Sequence, residues 1–310
     1  ELASIFAEVK RQNKALEAMT RPAESTKEWK DYRTQFLTND RINRGLDFWD
    51  KYQEPLNKAE AQYGVPPEVI LAIIGVETKF GGNKGSFRVV DTLASLAFDF
   101  PRRSTFFRQE LKNFLILSKE QGLTPLDVYG SYAGAMGYPQ FMPSSWRNLA
   151  VDFDGDNKID LLNNPVDAIG SVANYFKSNG WKTNEAIATR AKIIADNYDE
   201  AITSKDLKTS STLAEIKSKG LDVKEGAFAS TMPASALRLQ GENGAEFWLA
   251  FNNFYVITTY NRSTLYAMAV MQLSQALKEA RAQVNSSQSL VPIIEETPVT
   301  SPEAPTSPTT

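Results

Sequence analysis

Val65-Pro-Pro-Glu-Val-Ile-Leu-Ala-Ile-Ile-Gly-Val-Glu77-Thr-Lys-Phe-Gly-Gly82 is an apolar run that opens on two prolines and closes on two glycines. Proline suits the first turn of a helix and glycine suits its end. The spacing predicts a helix starting near Pro66. Ile70, Ile73 and Ile74 then lie seven, four and three residues before Glu77, on one helical face. A carboxyl group on that face shares the surroundings of three isoleucines. Burial of that kind disfavours the charged form. A carboxylic acid that keeps its proton near neutral pH can act as a general acid. A plainer reading stands beside this one: a glutamate one turn before a Gly-Gly stop can turn to solvent or cap a neighbouring helix.

Composition narrows the chemistry further. The chain has 310 residues, 42% of them hydrophobic and 23% charged, which suits a globular protein with a sizeable core. It contains no histidine and no cysteine. Ser-His and Cys-His nucleophiles, the usual zinc sites, thiol chemistry and disulfides are therefore excluded. Carboxylates, hydroxyls, amides, lysine, arginine and oxygen-liganded metals remain. A net charge of −3 gives no basic surplus for nucleic acid. No apolar run is long enough to span a bilayer, and no signal peptide is present. Starting at Glu1 without Met, the chain reads as processed or trimmed.

Outward from 65–82, five regions are expected. Residues 1–63 read as a helical flanking region, with helices over 5–19 and 41–63. Residues 64–190 hold most of the motifs, with helices at 66–78, 91–98, 104–120, 144–150 and 165–179. Residues 191–263 read as a small α/β subdomain, with a short helix at 211–220 and strands at 234–240, 246–251 and 255–259. A last helix, within 264–284, packs on the helical region. Residues 285–310, rich in Pro, Ser and Thr, read as a disordered tail.

Two further stretches carry chemistry. Residues 130–145 interleave three glycines and two alanines with Tyr132, Tyr138, Phe141 and two methionines. Small residues edged by aromatic rings suit the apolar faces of a sugar, and Ser131 and Gln140 can bond its hydroxyls. A tightly packed loop is the alternative. In Asp152-Phe-Asp154-Gly-Asp156-Asn-Lys158-Ile-Asp160 the acids fall at positions 1, 3, 5 and 9 of an EF-hand-like calcium loop. The main-chain carbonyl of Lys158 supplies position 7. Asn157 replaces the usual glycine at position 6, and Asn163 replaces the closing glutamate, so Asp167 is expected to close the site. Tyr32, Tyr175, Tyr260 and Tyr266 could each be core; spacing does not decide.

Glu77-Thr78 followed by an aromatic and glycine, the run Gly134-Ala-Met-Gly-Tyr-Pro-Gln-Phe-Met-Pro-Ser-Ser145, and Asp167-Ala-Ile-Gly-Ser-Val-Ala-Asn-Tyr-Phe176 occur in this order. Together, over residues 1–282, they resemble the lytic murein transglycosylase B family. The resemblance implies a mainly α, lysozyme-like core with a helical flank and a small β subdomain. It implies cleavage of the β-1,4 bond between N-acetylmuramic acid and N-acetylglucosamine in peptidoglycan, with 1,6-anhydro ends. Glu77 matches the family's catalytic glutamate, and Ser131 and Gln140 match sugar-binding groups. Tyr32, Tyr175, Tyr260, Asn261 and Tyr266 fall where family members line the groove. Arg102 and Arg103 match a basic pair near the stem peptide. The family's calcium loop maps onto Asp152, Asp154, Asp156, Lys158 and Asp167, with one extra residue near Asn163–Asn164. A structural Ca2+, no organic cofactor and peptidoglycan glycan strands as partner are implied. So are a monomer and a periplasmic location, with an outer-membrane lipid anchor in the full-length precursor.

Glycosidases usually need two carboxylates. The candidates here are Asp91, read as a helix N-cap, and Asp99 at a helix end. A single-acid scheme through Glu77 fits better. Two other classes compete: a goose-type hydrolase using water and a second acid, and a non-catalytic calcium-dependent wall-binding module.

Overall fold

The computed structural model describes residues 2–20, 27–203 and 208–288. The tail expected over 285–310 begins later: residues 285–288 continue the last helix, which runs to Gln288, and 289–310 lie outside the described residues. The helical flank comprises α1 (Leu2–Ala7), α2 (Asn13–Thr20), α3 (Trp29–Arg33), α4 (Asn39–Lys51) and α5 (Gln53–Tyr63). Next come α6 (Pro67–Thr78), β1 (Phe87–Arg88), α7 (Val89–Asp99), α8 (Ser104–Glu120), β2 (Tyr129–Gly130), α9 (Pro143–Leu149) and α10 (Pro165–Ser178). The subdomain holds β3 (Ala188–Ile193), β4 (Ser211–Thr212), α11 (Leu213–Ser218), β5 (Leu221–Val223), β6 (Pro233–Gly241) and β7 (Gly244–Ala250). Then α12 (Asn252–Tyr260) and α13 (Thr264–Gln288) lead back to the helices.

Three further expected elements differ. The helix expected over 41–63 is two helices that meet at Tyr52, because Pro55 lacks an N–H and forces a new first turn. The helix expected over 5–19 is interrupted at 8–12. There the N–H of Lys10 goes to Asp91 (3.0 Å) and that of Gln12 to the Ser95 hydroxyl (2.8 Å), so neither bonds within a helix. The strand expected at 255–259 belongs to helix α12. Its Val, Ile and Thr residues favour strand locally, but Phe254, Val256, Ile257 and Thr258 are buried against the core, and packing overrides propensity.

The sheet runs β4-β6-β7-β3-β5, all antiparallel. Its central hairpin pairs Leu237 with Trp248 and turns between Gly241 and Gly244.

Three apolar clusters fill the interior. The first joins α4, α5, α6, α10 and α13; the second lies under α7, α8 and α9; the third backs the sheet. Tyr175 and Tyr260 pack against both of the first two. They mark the seam where those cores meet, and the candidate site lies on it.

Candidate active site and acidic loop

Helix α6 is largely apolar. Ile70, Ile73 and Ile74 are fully buried; apart from Glu68 in the first turn, which meets Lys278 at 2.9 Å, only its last turns reach the surface. The chain leaves the helix through three successive left-handed residues, Lys79 (φ 50°), Phe80 (φ 60°) and Gly81 (φ 85°). Such backbone is costly for residues with a Cβ and persists only where surroundings enforce it. At Gly81 a Cβ would lie 2.2 Å from the Tyr138 ring, so glycine is required. Thr78, buried, donates its hydroxyl to the Tyr138 carbonyl (3.0 Å) and accepts from the Gly81 N–H (3.0 Å). Those bonds fix the end of α6, and with it Glu77.

Glu77 is partly buried. The phenol of Tyr266, at the start of α13, donates to Glu77 Oε1 at 2.6 Å. Tyr266 is only 3% exposed and its ring stacks on Tyr260, with centroids 6.5 Å apart and planes 12° apart. Tyr260 in turn lies 4.7 Å from Tyr175, and its hydroxyl donates to the Pro139 carbonyl (2.5 Å). Tyr175 donates to the Thr259 carbonyl (2.7 Å). Burial, and next the charge of Glu77, push the Tyr260 and Tyr266 phenols well above their usual range. Both rings therefore stay neutral, and Tyr266 stays a donor. Tyr32 sits in the first core at 5% exposure, close enough to influence Tyr266 electrostatically.

The glycine-rich segment folds back across this wall. Met136 pairs with both Gly130 and Phe141. The Ser131 hydroxyl accepts the N–H groups of Ala133 (3.2 Å) and Ala135 (3.0 Å), which leaves its hydrogen to offer a ligand. Gln140 holds a left-handed backbone (φ 51°), and its Nε2 donates to the carbonyls of Lys84 (3.2 Å) and Gly137 (3.0 Å). Its free role is acceptance through Oε1. A cavity of about 650 Å³ opens beside the tyrosines, lined among others by Arg103, Gln140, Phe141, Tyr175, Tyr260 and Arg262. Glu77, Tyr266, Ser131 and Tyr32 do not line this cavity, and neither do Arg102 and Asn261, which are exposed; Glu77 is joined to its wall through the Tyr266–Tyr260 stack.

Sequence reasoning missed two features of this cavity. Arg262 follows Asn261 and carries no signal of its own. Glu110 is 3% exposed and accepts from the N–H (2.9 Å) and hydroxyl (2.6 Å) of Ser144, so it holds α9 against the cavity. Its place on the buried face of α8 was the available hint. The two candidate second acids are engaged elsewhere. Asp91 sits inside the first turn of α7 and is not its N-cap; it takes a bidentate bond from Arg88 (2.8 and 2.7 Å). The carboxylate has a strong fixed partner there, which a cap to its own helix would not supply. Asp99 pairs with Arg11 at 2.6 Å.

The acidic loop precedes α10. Asp152, Asp154 and the fully buried Asp167 bring carboxylate oxygens within 4.8 Å of one another. Asp167 accepts from the N–H groups of Phe153 and Asp160, both at 2.8 Å. Burial and then the charges of Asp154 and Asp152 raise its affinity for a proton. Asn157 is left-handed (φ 69°), as its loop position demands. Asp156 lies outside the trio and accepts from the Lys158 N–H (2.8 Å). Phe153 anchors the loop on α10: a Cβ at Gly170 would lie 2.3 Å from its ring.

Known proteins share this architecture. The family description "Transglycosylase SLT domain" matches residues 1–275. The membrane-bound lytic murein transglycosylase B of Escherichia coli (strain K12) is 42% identical over 292 residues, covering 91% of this chain and 79% of that protein. The crystal structure of soluble lytic transglycosylase SltB1 from Pseudomonas aeruginosa is 49% identical, with a TM-score of 0.86 over 91% of this chain and 93% of that one. The Escherichia coli lytic transglycosylase SLT35 in complex with calcium is 43% identical, with a TM-score of 0.83 over 91% and 88%.

Proposed function

Because this chain belongs to the transglycosylase SLT domain family, we propose that Glu77 is the single acid–base group of its reaction, positioned by Tyr266. The chain is a lytic murein transglycosylase with a lysozyme-like fold, an enzyme that acts on peptidoglycan. The observation carrying the mechanism is the 2.6 Å bond from Tyr266 to Glu77, at the open end of an otherwise buried helix.

The substrate is a glycan strand laid along the seam, its sugar faces against Tyr175 and Tyr260, which Phe141 backs from the core. Ser131 and the Oε1 of Gln140 bond its substituents. Protonated Glu77 gives its proton to the oxygen bridging N-acetylmuramic acid and N-acetylglucosamine. The sugar's own 2-acetamido group shields the developing cation. Glu77, now a carboxylate, takes the proton of the muramoyl 6-hydroxyl, and that oxygen closes on C1. The new C1–O6 bond replaces the glycosidic one, Glu77 ends protonated again, and no water is consumed. Such intramolecular attack gains from effective molarities up to ~10⁸ M. The engagement of Asp91 and Asp99 with Arg88 and Arg11 supports one acid over two. Arg103, in the cavity wall, suits a stem-peptide carboxylate, with Arg102 beside it.

The residues of the acidic loop fit a hard cation. Three converging carboxylates, one of them buried, suit Ca2+, and the Lys158 carbonyl and Asp156 complete the proposed set. The ion would neutralise that charge and tie residues 152–160 to α10, which carries Tyr175. No helix among the described residues is long and apolar enough to cross a membrane. The proposed setting is a periplasmic monomer, with the precursor anchored to the outer membrane by lipid.

The test is digestion of purified sacculi followed by mass spectrometry. Anhydro ends, one water lighter than hydrolytic ends, are expected, and Glu77→Gln abolishes them. Reducing ends would assign a goose-type hydrolase, and binding without fragments would assign a wall-binding module.

A further inference from the structure

A second groove lies away from the reaction, between α1, the end of α7 and α8. It encloses about 850 Å³ and is walled by Leu2, Ile5, Phe98, Leu111, Leu115 and Leu123. Helix α1 carries Leu2, Ile5 and Phe6 with no charged side chain, yet none of its residues is buried. Leu2 is 57% exposed, Phe6 40% and Phe98 58%. A six-residue helix gains little stability alone, and this one spreads its apolar surface toward solvent.

Charge surrounds that surface selectively. On α8, Arg108, Leu111, Lys112, Leu115 and Lys119 follow spacings of three and four residues, so cations and leucines share one stripe. Seventeen residues give it a length of about 25 Å. The acids nearby are largely neutralised: Glu120 receives two bonds from Arg147, both 2.8 Å, and Asp99 pairs with Arg11. Glu8, at the end of α1, lies toward Arg88. Lys112 and Lys119 are exposed. Of the charged residues lining the groove, Arg108, Lys112 and Lys119 are basic and Glu120 alone is acidic, on a chain whose net charge is −3.

We infer that this α1–α8 face docks on an anionic phospholipid surface, with Leu2, Phe6 and Phe98 entering the acyl boundary and Arg108, Lys112 and Lys119 meeting the phosphates. Apolar side chains ringed by long cationic stems are the pattern of interfacial binding. An acidic peptide would use the same cations, but it would not explain three separated, solvent-exposed apolar side chains beside a groove.

Vesicle co-sedimentation tests this. Vesicles of phosphatidylglycerol and phosphatidylethanolamine should bind the chain, vesicles of phosphatidylcholine alone should bind it at least tenfold more weakly, and salt should release it. Lys112→Glu/Lys119→Glu should weaken binding more than tenfold. Leu2→Ser/Phe6→Ser/Phe98→Ser should lose it to a similar degree. Both variants should keep the melting temperature and the release of fragments from sacculi, which separates this proposal from the catalytic one. Failure of the parent chain to bind the anionic vesicles would overturn it. So would equal binding to phosphatidylcholine, full binding by both variants, or a dimer in sedimentation velocity that the same substitutions abolish.

Discussion

The tyrosine wall around Glu77 and the acidic loop at 152–167 are both polar sites in a largely apolar interior, but they are built in opposite ways. In the loop, the three converging carboxylates come from one short stretch, and the tie from Phe153 to Asp167 spans 14 residues, although Lys58 and Lys84 reach in from the helical side to the carbonyls of Phe153 and Leu162. At the wall, the decisive bond joins residues 189 apart, and Tyr175, Tyr260 and Phe141 come from three further segments. A local site can be lost without disturbing the rest of the fold. A site assembled from distant segments exists only when the cores behind it are packed. Function and stability should therefore respond differently at the two places.

The largest expected effect tests the wall. Glu77→Gln keeps shape and removes the transferable proton, so turnover on sacculi should fall by about 10³-fold, in line with the usual worth of general acid–base catalysis. Its melting temperature should hold. A large drop in melting temperature instead would give Glu77 a structural role and blur the contrast. Next comes the loop. Removing calcium with a chelator should cost about 2–3 kcal/mol of stability when the ion had been present near a hundred times its dissociation constant. Calorimetry would show this as a fall in Tm, absent in Asp167→Asn. An unchanged Tm in the parent chain would leave the three carboxylates without an ion.

Tyr266→Phe is the third and sharper probe. It keeps the stacked ring and deletes one hydrogen bond to a carboxyl group, so kcat should drop by about tenfold with KM little changed. The phenol favours the ionised carboxylate it donates to. Without it, protonated Glu77 persists to higher pH, and the alkaline limb of the pH–rate profile should move upward. A limb that does not move would separate Tyr266 from the proton. The smallest effect is expected at Asn157, where φ is 69°. Asn157→Val puts a β-branched residue in left-handed backbone and should cost about 1 kcal/mol, visible in denaturant unfolding, whereas Asn157→Gly should be close to neutral.

Much of this was legible in the residues. Prolines and glycines bracket α6, and acids at alternate positions outline the loop, in the sequence itself. The local signals that failed did so for identifiable reasons. Val256 and Ile257 look like strand residues, and their burial between α13 and the core makes them helical. Asp91 looks like a cap, and Arg88 together with the segment around Lys10 claims it instead. Glu110 gave almost no sign, because its partner Ser144 is 34 residues away.

Taken alone, the order of residues determined the helix that carries Glu77, the acidic loop, and the exclusion of histidine and cysteine chemistry. These depend on backbone preference and spacing, which act over a few residues. Only the tertiary structure decided that Tyr266 meets Glu77, that Tyr260 and Tyr175 stand at the seam of two cores, and that Asp91 and Asp99 are occupied elsewhere. Those facts depend on which apolar faces bury one another, and contacts between distant segments leave no fixed spacing in the chain.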